Sequence, residues 1–215
     1  MHMTQHRARP GARRHAGIAL IEVLVTLVIL LFGLLGLAGI SSRANMAELE
    51  AFQRIRALQL LQDMAARIEA NRQIAPCYSS GATGIEVGIG KTLPSTLPAC
   101  NLIKKAADGT AIAASTQQTT QLKADLVSWD QQIKGEAEVV GSNKVGAMMG
   151  AIGCITQDDA VANVYLIAVA WQGLAPTAQP MLEDGTTPFP CGLNAFGDEK
   201  LRRVLTTKVR IGNIS

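Results

Sequence analysis

The sequence predicts an α+β fold: one long N-terminal α-helix, membrane-spanning over its first half, packed against a C-terminal antiparallel β-sheet. Three observations carry this. Val23–Ile40 is an eighteen-residue run, VLVTLVILLFGLLGLAGI, in which Thr26 is the one polar side chain. No proline occurs from Ile18 to Ala75, so a single helix can continue well past the apolar run. Towards the C-terminus Tyr165, Ile167, Val169 and Trp171 alternate with other residues, as on a half-buried strand.

With Ile18–Ile21 included, the apolar segment is long enough to cross a bilayer core of about 30 Å. No charge lies between Glu22 and Arg43. The first 17 residues carry Arg7, Arg9, Arg13 and Arg14 and no acid. By the positive-inside rule that end stays cytoplasmic and the C-terminal part is sent outward, as in a single-pass protein with its bulk outside the cytoplasm. Removing those four arginines from the 20 basic groups leaves 16 against 17 acidic ones, a net of −1. The formal charge of +3 therefore belongs to the N-terminal stretch, and nucleic acid is excluded as a partner of the remainder.

A secretory signal would put its cleavage site after the apolar run, where Gly36-Leu37-Ala38-Gly39 supplies small residues. Glu22 speaks against that reading. A carboxylate in a membrane segment costs about 2.5–3.5 kcal/mol on insertion scales and is usually retained for a function, with a partner. The plainer reading of Glu22 is an acid favoured by the helix dipole at the membrane surface.

Beyond the membrane, Met46, Leu49, Ala57, Leu60, Leu61, Met64 and Ile68 fall on one third of the helical circumference. One helix of roughly 55 residues, about 80 Å long, is implied, with a soluble domain on the stripe of its outer half. Phe52, Ile55 and Leu58 point elsewhere. Gly33, Gly36 and Gly39 punctuate the membrane part, where small residues let helices approach closely.

Residues 76–115, with Pro76, Pro94, Pro98 and several glycines, read as a loop region. Leu122, Leu126, Trp129 and Ile133 mark a short amphipathic helix within Gln117–Lys134, with Trp129 as a core anchor. Candidate strands are Ala137–Val140, Ala147–Thr156, Asn163–Trp171 and Arg202–Ile211. Gly173–Gly197, rich in proline and glycine, reads as an exposed connection.

Four cysteines, Cys77, Cys100, Cys154 and Cys191, all follow the apolar segment, and the only histidines lie before Gly17. No C-x-x-C spacing occurs, so a zinc site is not indicated and no metal or cofactor is expected. An even count in an exported domain reads as two disulfides. Of three connectivities, Cys77–Cys100 with Cys154–Cys191 is preferred because it closes the shorter loops. Asp158-Asp159 and Glu183-Asp184 are carboxylate pairs that read as solvated turn residues, not as a calcium site. There is no G-x-S-x-G, phosphate loop or dinucleotide fingerprint, so the expectation is a protein that is not an enzyme.

Ala16-Gly17 followed by Ile18-Ala19-Leu20-Ile21-Glu22-Val23-Leu24-Val25 resembles the class III leader of type IV prepilins: a glycine, an apolar residue, and glutamate fifth after the cut. The family most often has phenylalanine where this chain has Ile18. The resemblance implies cleavage after Gly17 by the prepilin peptidase and N-methylation of the new terminus at Ile18. Such a cut creates an ammonium one helical turn from Glu22, and opposite charges in low dielectric offset part of each other's cost. In that family the glutamate is implicated in subunit addition, and the resemblance implies the same assembly role for Glu22. The phrase Asp63-Met64-Ala65-Ala66-Arg67-Ile68-Glu69-Ala70-Asn71-Arg72, with the run Gly33–Ala38, resembles the PilV-type minor pilins, also called pilus modification proteins; its plainer reading is an amphipathic helix terminus.

The resemblance implies a pilin-like fold divided into a leader (1–17), a transmembrane half-helix (18–42), an amphipathic half-helix (43–75) and a disulfide-containing head (76–215). It further implies a minor pilin of the type IV pilus system, incorporated into the pilus, that primes assembly and sits at the fibre tip. Adhesion and twitching motility would depend on it. Other minor pilins, the major pilin, the prepilin peptidase, the inner-membrane assembly platform and the lipid bilayer would be its partners. A type II secretion pseudopilin shares the same N-terminal logic, and a membrane-anchored periplasmic binding domain is a further alternative.

Overall fold

Ile18–Ala70 form one helix of 53 residues, α1, in the computed structural model, which describes residues 18–79, 84–94, 97, 99–136, 139–141, 143–144, 148–158 and 161–212. The chain divides into two units, Met1–Glu48 and Leu49–Ser215. α1 runs through the boundary.

Within the second unit, the buried stripe of α1 consists of Ala57, Leu60, Leu61, Met64 and Ile68, all at most 2% exposed. Met46 and Leu49, placed on that stripe by periodicity, are exposed. Within the second unit the buried apolar stripe starts at Ala57; periodicity marks a face, not which part of it is covered. Phe52, Ile55 and Leu58 are exposed, as their positions off the stripe imply.

Helical geometry breaks at Asn71, and a 3₁₀ turn (Arg72–Ile74) leads into α2 (Ala75–Ser79). Pro76 sits in the first turn of α2, where a missing N–H costs no intrahelical bond. α3 (Thr116–Ile133) starts at a capping box: the Ser115 hydroxyl accepts from the Gln118 N–H, and the Gln118 carbonyl oxygen from the Ser115 N–H. Residues 115 and 118 carry that signal in the sequence, and it places the helix start one residue before the expected Gln117.

The region read as loop, 76–115, is not irregular throughout. It contains α2, strand β1 (Ile85–Gly88) and a small antiparallel pair, β2 (Asn101–Lys105) with β3 (Ala111–Ala113). β1 is short, and only Ile85 and Val87 alternate towards the core, too little periodicity to stand out between glycines. Its cross-strand partner secures it: Ile85 lies opposite Ile155 and Val87 opposite Gly153. β4 (Val139–Val140) pairs with β5 (Asn143–Lys144). The strand expected at 137–140 is present over these last two residues, 137 and 138 lying outside the described residues.

The main sheet is antiparallel with strand order β1-β6-β7-β8, where β6 is Ile152–Gln157, β7 Val164–Gln172 and β8 Arg202–Arg210. Of the strand expected from Ala147, position 147 lies outside the described residues, Met149 and Gly150 form a turn, and β6 begins at Ile152. One face carries Ile155, Tyr165, Ile167, Val169, Trp171 and Val209 into the core shared with α1 and α3. Trp129 of α3 is fully buried there, and its indole Nε1–H donates to the Leu60 carbonyl of α1 at 3.0 Å. Gly153 of β6 makes this possible, since a Cβ at that position would lie 2.5 Å from Trp129 Cη2 and from Ile133 Cδ1.

The opposite face, which half-buried alternation on β7 would leave to solvent, is covered over part of its length. Ile152, Cys154, Ala168 and Ala170 pack under Cys191, Phe196 and Phe189. The segment 173–197, expected to be an exposed connection, is thus a cover for half of that face, although 174–178 and 181–187 are themselves exposed.

Candidate functional site

The first unit presents a bare apolar helix. Every residue from Leu20 to Glu48 is exposed, with Leu20 and Phe32 at 71% and Leu35 and Ile40 at 67%. The helix is long and apolar enough to cross a membrane once. In water such an all-round apolar surface is unfavourable at about 25 cal/mol per Å². In hydrocarbon its backbone groups are satisfied within the helix. Thr26 also satisfies itself, its hydroxyl donating to the Val23 carbonyl at 2.9 Å. A Cβ at Gly33, Gly36 or Gly39 would meet nothing within 4 Å.

Glu22 lies on this exposed surface, and among the described residues it has no hydrogen-bond or ion-pair partner. Ile18 opens α1. Gly17 and the arginines before it lie outside the described residues, as does Asp159.

At the other end of α1 the structure brings together residues that sequence reasoning listed only as a phrase. Asp63, Arg67 and Asn71, spaced by four, face α3. Arg67 Nε donates to Asp63 Oδ2 at 2.8 Å, and Nη1 to Asp125 Oδ1 at 3.1 Å. Asn71 Nδ2 donates to Asp125 Oδ2 at 3.1 Å and Tyr78 Oη–H to the same oxygen at 2.5 Å. Gln121 Nε2 completes the set at Asp125 Oδ1, 3.1 Å away. Asp125 is 4% exposed, and the several hydrogen bonds to each of its oxygens offset the cost of burying it. Burial, with Asp125 beside it, pushes the Tyr78 hydroxyl far above the ordinary tyrosine range. Met64 and Ile68 of the same phrase fill the core alongside. The polar half of the phrase thus clamps α1 to α3 and α2. The signal was present: a carboxylate at 125 inside the apolar period of Leu122, Leu126 and Trp129 requires a partner.

Both disulfides join local segments. Cys77–Cys100 ties α2 to the residue before β2, 23 positions on, and Cys154–Cys191 ties β6 to the covering segment, 37 positions on. That segment has two further anchors. Glu50 Oε1 accepts from the N–H groups of Leu174 (3.0 Å) and Ala175 (3.4 Å) and from Arg203 Nη2 (3.2 Å). Gly173 allows the guanidinium in, since a Cβ there would lie 2.7 Å from Arg203 Cζ. Arg202, fully buried, donates from Nη1 to the carbonyls of Phe189 (2.7 Å) and Cys191 (2.9 Å) and from Nε to Glu199 at 2.6 Å. These charge-assisted bonds replace the backbone ladder that an irregular segment lacks.

The carboxylate pairs act locally. Asp184 accepts from the N–H groups of Thr186 and Thr187, both at 2.9 Å, and from the Thr187 hydroxyl. These bonds hold its carboxyl down at about 2. Asp158 accepts from the Val161 N–H at 3.0 Å. Among the described residues no cluster of three or more His, Cys, Asp or Glu side chains is placed to hold a metal ion. Comparison with protein-family models, curated proteins and solved structures found no match.

Proposed function

We propose that this chain is a minor pilin of the PilV type: a structural subunit of the type IV pilus system that primes assembly and resides at the fibre tip. The observation that carries the proposal is the helix Leu20–Glu48, exposed on every side and apolar throughout its first twenty residues except for Glu22 and Thr26. A soluble domain has no use for such a surface. A subunit stored in the inner membrane and later transferred into a bundle of like helices has two uses for it, first against lipid and then against neighbours.

In this reading the prepilin peptidase cuts after Gly17, and Ile18 becomes the N-methylated terminus. The new ammonium, one turn from Glu22, supplies the cation that this carboxylate lacks among the described residues. A neighbour's terminus reaches Glu22 only in one axial stagger, so the pair rewards docking in that register. The head, carried on α1 from Leu49 onwards, stays on the periplasmic side and travels with the pilus. Other minor pilins, the major pilin and the assembly platform are its partners.

N-terminal mass spectrometry of the protein from a host with the peptidase tests the first step. A mature chain starting at N-methylated Ile18 is expected; an intact 1–17 leader would overturn the proposal. Substituting Gly17 is expected to accumulate the full-length precursor. Glu22→Ala is expected to be processed and inserted normally yet to be depleted in sheared pili, and normal incorporation would remove the charge-pairing step.

A further inference from the structure

The outer face of the main sheet is covered at one end and open at the other. The covering segment stops short of Thr156, Leu166, Thr206 and Lys208, and these form one side of a groove of about 560 Å³ whose other side is Pro180–Asp184 with Phe189. That volume is in the range of specific ligand sites, about 300–1,000 Å³. A narrower recess of about 80 Å³ adjoins it, sharing Thr156, Leu166, Leu182 and Phe189 and running on to Glu86, Ala168 and Pro190.

The floor is apolar at Leu166, Val204 and Phe189, while the rim is acidic. Among the described residues that line the groove, Glu183 and Asp184 stand beside Lys208. The carboxylates differ in what they have left to give. Asp184 has its turn bonds to Thr186 and Thr187, and Glu86 in the recess is paired with Lys91. Glu183 is 95% exposed and, among the described residues, holds only a long ion pair to Lys208 at 3.5 Å. An apolar floor below a net negative rim suits a side chain with an aliphatic stem and a cationic head, which is the chemistry of lysine and arginine. Two adjoining recesses on one surface suit an extended segment, which sends alternate side chains to the same side.

We infer that this groove binds an extended, basic–aliphatic peptide segment of another protein. The lysine or arginine stem lies on Leu166 and Phe189 with its head at Glu183, and a small aliphatic residue of the same segment enters the recess beside Ala168 and Pro190. The groove lies wholly in the head, so the inference stands apart from the proposed pilus role.

The test uses the full chain in an uncharged detergent and a set of fluorescein-labelled pentapeptides, each with a central arginine or lysine flanked by valine, leucine or alanine. Matching peptides carry glutamate or norleucine at the centre. Members of the basic set are expected to bind saturably, and the glutamate set at least about tenfold more weakly. Glu183→Lys, at a side chain already in solvent, is expected to weaken the basic peptides about tenfold or more. Lys208→Ala removes the competing cation and is expected to tighten them by a few-fold, an effect that damage to the fold would not produce. Absence of saturable binding by every basic peptide, equal binding of the glutamate set, or no response to Glu183→Lys overturns the inference. Spermidine binding as tightly as the best peptide would overturn the peptide assignment.

Discussion

Residues 20–48 and 49–70 are parts of one helix, α1, yet they solve different problems. The first stretch is exposed throughout and apolar on all sides over most of its length, with no polar face to turn to water. The second has a narrow stripe at 0–2% exposure and a flank, Phe52, Ile55 and Leu58, that stays exposed. A helix that is apolar all round requires an apolar surround; one with a stripe requires a partner of matching width. The same backbone thus carries two kinds of surface, and the difference is written in side chains alone.

That contrast implies sharply different mutational sensitivity. Trp129→Ala removes the ring packed against Gly153 and leaves the Leu60 carbonyl without its indole donor. It is expected to destabilise the head by about 3–5 kcal/mol, read by urea unfolding of the full chain in detergent. Leu30→Ala, in the exposed stretch, is expected to change the same transition by less than about 0.5 kcal/mol. A comparable loss from Leu30→Ala would break the distinction between the two stretches.

Asp125→Ala tests the clamp at the distal end of α1. It removes the acceptor of the buried Tyr78 hydroxyl and one of the acceptors of Arg67, and a loss of about 2–3 kcal/mol is expected in the same measurement. A near-neutral result would mean that apolar packing at Met64 and Ile68 alone holds α1 to α3.

A smaller effect sharpens the picture of the buried side. Tyr78 and Tyr165 are the only tyrosines of the chain. Burial pushes Tyr165 up to about 12, and Tyr78 is raised as well. A phenol whose folded value exceeds its unfolded value of about 10 contributes stability that is complete below pH 10 and is lost as pH rises through the folded value. Ultraviolet absorbance is therefore expected to show no tyrosinate until above pH 10, followed by coincident ionisation and unfolding. A normal titration near pH 10 with the head still folded would contradict the burial of both rings.

Much of the fold was legible because its signals are strong and periodic. The eighteen-residue apolar run, the absence of proline to Ala75, and the spacing of Leu122, Leu126, Trp129 and Ile133 each state a helix without tertiary help. The nine-residue β7 and β8 were legible for the same reason. β1, with two alternating residues, and the β2–β3 pair were not, because strands that short exist only through the partner that completes their hydrogen bonds. At the candidate site, Glu22 stood out because a lone acid in a long apolar run is costly. The Asp63–Arg67–Asn71 clamp did not, because its meaning depends on Asp125 and Tyr78, 54 and 7 positions from Asn71 respectively.

By itself the sequence determined the apolar helix, its one carboxylate, the location of every cysteine beyond it, and the strand-rich character of the C-terminal half. These follow from composition and from periods of 3.6 and 2, which are properties of the local chain. Only the tertiary structure decided where the cover on α1 begins, that the segment 173–197 shields one face of the sheet, and that Arg202 and Arg203 secure it. Those outcomes depend on which surfaces meet, and a buried arginine or a glycine under a tryptophan acquires its role only from the neighbour that folding brings to it.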